Sequence, residues 1–180
     1  MFVKPMFNHP HNNIKASYIG EGMKVADFGA GVGHHTLPIA YQVTDDGAVY
    51  AIDVQKDLLS KLKAEAEREH LTNVHVILGN VEKAGGSTLR AQSVDRVLIM
   101  NTLFQIEDKR TALAEAKRIL KTKGRLVIID WRDSYGHLGP HPDHVITKFE
   151  ARRLAEGAGF KFESDFEAGA HHYGLLFKVS

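Results

Sequence analysis

The sequence predicts an open α/β domain, a mostly parallel sheet with helices on both faces. Three observations carry this. Short apolar runs such as V-L-I-M (97–100) and L-V-I-I (126–129) alternate with amphipathic stretches of helical period. Those runs are continuously apolar, as strands are when both faces of a parallel sheet are covered. A glycine-rich turn, V-A-D-F-G-A-G-V-G-H-H at 25–35, joins the first strand to the first helix of this alternation. Strand, glycine turn and helix together make a nucleotide-binding crossover, in which backbone N–H groups and a helix N-terminus approach a ligand closely.

The elements follow in order. Residues 24–28 form the first strand, and the helix after the glycine turn carries Leu37, Ile39, Ala40 and Val43, with Pro38 near its start. Asp45-Asp46-Gly47 turns the chain into a second strand at 48–54 that contains Asp53. The clearest helix is 55–70, where Leu58, Leu59, Leu62 and Ala66 line one face and Lys61, Lys63, Glu65, Glu67 and Arg68 the other. A third strand covers 74–78 and runs into Gly79-Asn80. Residues 81–93 are irregular, and 94–100 form a fourth strand ending at Asn101. A helix at 108–121 turns Leu113, Ala116, Ile119 and Leu120 inward and stops at Gly124, so that 125–131 form the fifth strand. Residues 133–144 are a loop rich in Gly, His and Pro. Thr147 with Glu150 three residues on is a capping-box signature for another helix. Phe160, Phe162 and Phe166 alternate with polar residues, and 175–179 close the chain; a short turn near Gly169 makes this last pair an antiparallel hairpin.

Composition narrows the functions. The 180 residues are 43% hydrophobic and 25% charged, values of an ordinary single globular domain. The net charge of +1 gives no electrostatic reason to expect nucleic acid or an anionic membrane as partner. Cysteine is absent, which removes disulfides, thiolate metal sites and cysteine nucleophiles. No apolar run approaches membrane-spanning length, and the start of the chain lacks a signal-peptide core, so a soluble cytoplasmic protein is expected. Residues 1–20 read as an N-terminal arm over the site of a single domain spanning 1–180.

The glycine spacing D-x-G-x-G-x-G, from Asp27 through Gly29, Gly31 and Gly33, differs from the G-x-G-x-x-G of dinucleotide enzymes. No lysine follows it to hold a nucleoside triphosphate. Asp27 and Asp53 are acceptors suited to an ammonium group and to ribose hydroxyls.

With these residues in place the chain resembles, over nearly its whole length, the class I S-adenosylmethionine-dependent methyltransferases. Residues 25–33 are similar to the family's first motif, which wraps the amino-acid half of the cofactor. Asp53 matches the acid that holds both ribose hydroxyls, and Val54 the residue packed on the adenine. Gly79-Asn80-Val81-Glu82 resembles the third motif, with Asn80 where the family usually has Asp; its carbonyl oxygen is still able to meet the adenine amino group. Residues 101–104 resemble the segment beside the methyl-transfer site, and 120–126 the turn before the fifth strand, with Thr122 in place of a proline. The resemblance implies a three-layer Rossmann-like fold with a seven-stranded, mostly parallel sheet, order 3-2-1-4-5-7-6, strand 7 antiparallel. It implies a cofactor site of Asp27, Gly29, Gly31, Gly33, His34, Asp53, Val54, Asn80, Val81 and Asn101 for S-adenosylmethionine, with S-adenosylhomocysteine as product.

Methyl transfer from a sulfonium is an in-line displacement in which the protein aligns and desolvates the acceptor. A base is needed only where the nucleophile must lose a proton, so the catalytic residues stay open, with His137, His141 and Tyr135 as candidates and no metal site expected. The histidines of the 133–144 loop are equally readable as surface residues, and His34-His35 as bordering the cofactor or exposed at a helix start. The W-R-D…G-P loop at 131–144 and the helix ending in Ala158-Gly159-Phe160 resemble the branch that includes ubiquinone and menaquinone biosynthesis enzymes. A small-molecule acceptor and a monomer or homodimer are therefore expected. The alternatives are a protein or RNA acceptor, or an adenosylmethionine-binding subunit without catalysis.

Overall fold

In the computed structural model, residues 10–134 and 139–180 are described. Five helices and seven strands alternate as α1 (Pro10–Ala16), β1 (Lys24–Phe28), α2 (Thr36–Val43), β2 (Ala48–Asp53), α3 (Lys56–Arg68), β3 (Val74–Leu78), β4 (Val94–Met100), α4 (Lys109–Ile119), β5 (Leu120–Trp131), α5 (Lys148–Gly157), β6 (Phe160–Gly169) and β7 (His172–Val179). The strands form one sheet in the order β3-β2-β1-β4-β5-β7-β6. All neighbours are parallel except β7, which is antiparallel to β5 and β6.

Central strands are buried on both faces because their side chains are apolar on both. Val25, Phe28, Val97, Leu98, Ile99 and Leu126 to Ile129 are inaccessible to solvent. One face packs Ile14 of α1 and Ile39, Ala40 and Val43 of α2 against Val25, Leu98 and Val127; farther out, Leu59 and Leu62 of α3 cover Ala51. The opposite face packs Ala112, Leu113 and Ala116 of α4 and Ala151 and Ala155 of α5 against Phe28, Val97 and Ile128. The layers are thus α1, α2 and α3 on one side, α4 and α5 on the other. Thr147 caps α5 as its signature predicts, accepting the Glu150 N–H at 3.1 Å, and Asp108, expected inside α4, instead caps it, accepting the Thr111 N–H at 3.0 Å.

Two segments differ from the expectation. α4 ends at Ile119, and β5 begins at once, with Leu120 paired to Val94 before Lys121 to Gly124 loop out and Arg125 pairs with Arg96. Leu120 is buried, so its side chain and backbone pairing outweigh one more helical turn. The described part of the N-terminal arm is a layer element: the Asn13 amide donates to the Ala168 carbonyl of β6 at 3.2 Å, and the buried Arg96 guanidinium donates to Ser17 and Tyr18 carbonyls at 3.0 and 2.8 Å. Residues 1–9 of that arm lie outside the described residues.

The register brings one edge of the sheet to a common level. Phe28 sits beside Ile52 and Ile99, and Trp131 beside His172. The carboxyl ends of β1, β2, β4 and β5 and the start of β7 therefore share one rim, where open α/β sheets form their crevice. The order reverses direction between β1 and β4, directly below the glycine turn.

A candidate cofactor site at the carboxyl edge of the sheet

A cavity of about 520 Å³ opens on this rim, a size ordinary for a small-molecule site. Its floor is the glycine turn. Gly29 and Ala30 donate their N–H groups to the Ile52 carbonyl at 2.8 and 3.2 Å, which lashes the turn to the end of β2. The Asp53 carboxylate completes the lashing: one oxygen accepts the Gly31 N–H at 2.9 Å and the other the Gln55 N–H at 2.8 Å. Both Asp53 oxygens are thereby fixed at the cavity wall, each with a lone pair to spare for a hydroxyl donor. Val54 follows, 61% exposed, an apolar side chain standing open at the cavity rather than in the core.

The far wall is the turn after β3 and the segment after β4. The Asn80 side-chain oxygen accepts the Glu82 N–H at 2.8 Å, and the Glu82 carboxylate accepts the Asp108 N–H at 2.7 Å. One lone pair of that Asn80 oxygen remains for the expected adenine contact. The 81–93 loop is fastened from behind by Glu115, which accepts from Gly85 N–H, Ser87 N–H, Ser87 hydroxyl and Arg118. Burial would raise its carboxyl pKa, but these donors prevail and hold it near 2.

Asn101 ends β4 in a left-handed conformation, φ 54°, which Asn tolerates through its short polar side chain. Its N–H is held by the Ile129 carbonyl at 2.8 Å, and its side-chain oxygen is buried in the cavity wall without a hydrogen-bond partner among the described residues. Beyond it the chain makes a 3₁₀ turn, Leu103–Gln105, pinned by Asp130: Phe104 N–H reaches one Asp130 oxygen at 3.2 Å and Trp131 N–H the other at 2.8 Å. Burial pushes the Asp130 carboxyl up to about 6 against the pull of these N–H donors.

This pinning has a testable consequence. Asp130→Asn keeps the volume but offers one acceptor oxygen where two are in use, at a cost of about 1–3 kcal/mol. The folded protein binds a proton on Asp130 between about pH 4 and 6 that the unfolded chain gives up. That contribution is full below about pH 4 and is lost as pH rises through about 6. Asn does not titrate, so the stability of the parent relative to Asp130→Asn in urea is expected to be greatest below about pH 4 and roughly 2–3 kcal/mol lower at pH 8. A difference independent of pH would refute this role.

The cavity gathers Gly29, Gly31, His34, Asp53, Val54, Asn80, Val81 and Asn101 of the expected cofactor set. Asp27 and Gly33 stand behind it. Asp27, 2% exposed, receives the Thr36 hydroxyl at 2.7 Å. Burial first, then the nearby Asp53, push its carboxyl up to about 6 despite that hydrogen bond. Gly33 lies against α3, where a side chain would strike Leu62. Of the catalytic candidates, Tyr135 and His137 lie outside the described residues. His141 is exposed and away from the cavity; its ring nitrogen accepts the Asp143 N–H at 3.4 Å and caps a single turn. His35 and Thr102, which the sequence placed near the cofactor and the methyl-transfer site, line the wall as well, and so do three residues that the sequence reading left out: Gln55, Gln105 and Ile106. Gln105 and Ile106 follow an N-T-L-F tract without period, so no signal marked them. Among the described residues no group of three His, Asp or Glu is arranged to hold a metal ion.

Adenosylmethionine fits what is present. The unpartnered Asn101 oxygen is an acceptor awaiting a donor such as an ammonium group. A Cβ built on Gly31 would meet no protein atom within 4 Å, so the turn presents bare backbone to open space. Asp53 offers paired acceptors for a ribose.

Comparison with known proteins points the same way. Residues 19–164 match the profile of a family described as a methyltransferase domain. The chain is 29% identical over 143 residues to an arsenite methyltransferase of Aquipseudomonas alcaligenes, covering 72% of this chain and 41% of that protein. It is 30% identical over 122 residues to the ubiquinone/menaquinone biosynthesis C-methyltransferase UbiE of Enterobacter sp. (strain 638), covering 66% and 46%. The alignments thus span less than half of either relative's length. Among solved structures, a SAM-dependent methyltransferase from Aquifex aeolicus superposes with a TM-score of 0.89 at 28% identity, covering 97% of this chain and 91% of the other.

Proposed function

The chain belongs to the class I S-adenosylmethionine-dependent methyltransferases, and from that premise we propose that it transfers the methyl group of S-adenosylmethionine to a small organic acceptor. The observation that carries the reading is Asp53, fixed by two backbone N–H groups at the wall of a cavity floored by bare glycine backbone. In this reading Gly29, Gly31 and Asn101 hold the amino-acid end, Asp53 the ribose, and Val54, Asn80 and Val81 the adenine. Asp27 and Gly33 support that set from behind, and His34 stands at the mouth.

The cofactor, when bound, supplies the electrophilic methyl group; the chain's part is to align an acceptor and exclude water. The relatives are named for arsenite and for quinone-type substrates. Arsenic(III) is soft and is best held by thiolates, and this chain has no cysteine, which favours an organic acceptor. No helix among the described residues is long and apolar enough to cross a membrane.

Titration calorimetry with adenosylmethionine and adenosylhomocysteine tests the reading. One-to-one binding is expected, followed by label from methyl-labelled cofactor appearing in the low-mass fraction of a cell extract. A folded sample that binds neither compound, or label found only in protein or RNA, rejects it.

A further inference from the structure

We propose that Glu115, a buried carboxylate of α4 that does not line the cavity, positions the adenine wall and so sets the site's preference for adenine over a 6-oxo purine. The inference rests on the adenosylmethionine reading above and concerns a residue that acts through others, without touching the cofactor.

α4 turns Ala112, Leu113, Ala116 and Ile119 into the apolar contact with the sheet, and Glu115 is buried with them, its side chain 1% exposed. A carboxylate in such a place is costly unless it is fully hydrogen-bonded. Its bonds go to one short tract. One oxygen accepts the Gly85 N–H at 3.0 Å, and the other accepts the Ser87 N–H at 3.1 Å and the Ser87 hydroxyl at 2.5 Å. Arg118, one turn along α4, spans both oxygens at 2.7 Å each and also reaches the Leu89 carbonyl at 2.8 Å. A buried pair of this kind is weak as a source of stability; its use here is to hold a loop in one place.

Between the two held amides lies Gly86, and Gly86 rests against the adenine wall. A Cβ added to it would fall 1.7 Å from the Asn80 backbone oxygen, and one added to Gly79 would fall 2.4 Å from the Gly86 backbone oxygen. The two glycine tracts meet backbone to backbone, with no side chain between them to absorb a shift. From the front the same turn is tied by the Gly79 N–H to the Asp53 carbonyl at 3.0 Å. Asn80 aims its side-chain oxygen by accepting the Glu82 N–H, which leaves one lone pair for the base. Adenine presents an amino group to that lone pair. A 6-oxo purine presents an oxygen, and two acceptors then oppose each other. The distinction lasts only while the Asn80 oxygen stays where Gly86, held by Glu115, puts it.

Glu115→Gln keeps the shape but turns one acceptor into a donor that faces either the Gly85 or the Ser87 N–H, so the tract must move at Gly86. The test measures affinities for adenosylhomocysteine and for S-inosylhomocysteine, its 6-oxo counterpart, by titration calorimetry on protein shown to be folded by urea denaturation. The parent is expected to prefer the adenine compound by about tenfold or more, the scale of one hydrogen bond made against one opposed. In Glu115→Gln, adenosylhomocysteine affinity is expected to fall by about tenfold and S-inosylhomocysteine affinity by less than threefold, so the preference shrinks by about threefold or more. A role in stability alone would weaken both ligands equally. Glu115→Asp keeps the charge beside Arg118 but falls short of the two amides; it carries the same expectation and stands in if Glu115→Gln does not fold. A preference kept within twofold of the parent's in either folded variant, or a parent without any preference, overturns the inference. Failure of the parent to bind adenosylhomocysteine would instead count against the methyl-transfer reading itself.

Discussion

Replacing Asp53 by Ala is expected to weaken adenosylhomocysteine binding by about 10²–10³-fold while leaving the protein folded. The carboxylate lines the cavity with both oxygens directed by backbone N–H groups. Two ribose hydroxyls donating to it would form two charge-assisted hydrogen bonds, each about 1.5–3 kcal/mol. Their loss, toward the lower end of that range at about 3–4 kcal/mol together, corresponds to the stated fall in affinity. The Gly31 and Gln55 N–H groups lose their acceptor too, but they border the cavity and water can reach them, so the stability loss is expected to stay near 1 kcal/mol. Asp53→Asn keeps the shape and one acceptor oxygen, and should fall between the two proteins. Calorimetry gives the affinities and urea denaturation the stabilities. Affinity within threefold of the parent in Asp53→Ala would mean that the ribose is held elsewhere.

The same residue illustrates what the sequence made legible. Asp53 and Asp130 are both acids at the end of an apolar strand, and their sequence contexts are alike. Spacing places both at the carboxyl rim, because every strand of a parallel sheet ends there. It does not say which backbone amides curl back to meet each one. Asp53 is met by N–H groups from the glycine turn and from its own following turn, so it faces the cavity. Asp130 is covered by the Leu103–Gln105 turn, so it holds a wall in place from beneath. The strands and the glycine turn were legible because they rest on period and local spacing, whereas the strand order followed from the family resemblance. The Lys121–Gly124 loop-out was not legible, since it depends on Leu120 finding Val94 across the sheet, a non-local pairing.

The three glycines of the turn are expected to separate in a substitution series, although they sit two residues apart in one motif. Gly31 has φ 55° and open space where a Cβ would project; Gly33 has φ 92° and a Cβ position 2.2 Å from Leu62 Cδ1. Both conformations disfavour an L side chain, by about 1–2 kcal/mol. In Gly31→Ala that strain is the whole cost to folding, but the new methyl stands where the turn would meet the cofactor. Stability should fall by about 1 kcal/mol and adenosylhomocysteine affinity by about tenfold or more. In Gly33→Ala the methyl runs into Leu62, which is fully buried in the α3 contact and has little room to withdraw. Overpacking adds about 1–3 kcal/mol to the strain, so a loss of roughly 3–4 kcal/mol is expected in urea denaturation. Any loss of affinity should follow from the unfolded fraction alone. Gly29→Ala belongs with Gly33, because its Cβ would lie 2.3 Å from the Thr102 methyl and drive the β4 segment away from the turn. If Gly33→Ala proves as stable as the parent, or Gly31→Ala binds as tightly, the turn does not divide its glycines between helix packing and ligand approach. The division follows from where a Cβ would project: into open space at the middle glycine, toward Thr102 and Leu62 at the outer two. Each must lack a side chain for the sake of a different neighbour.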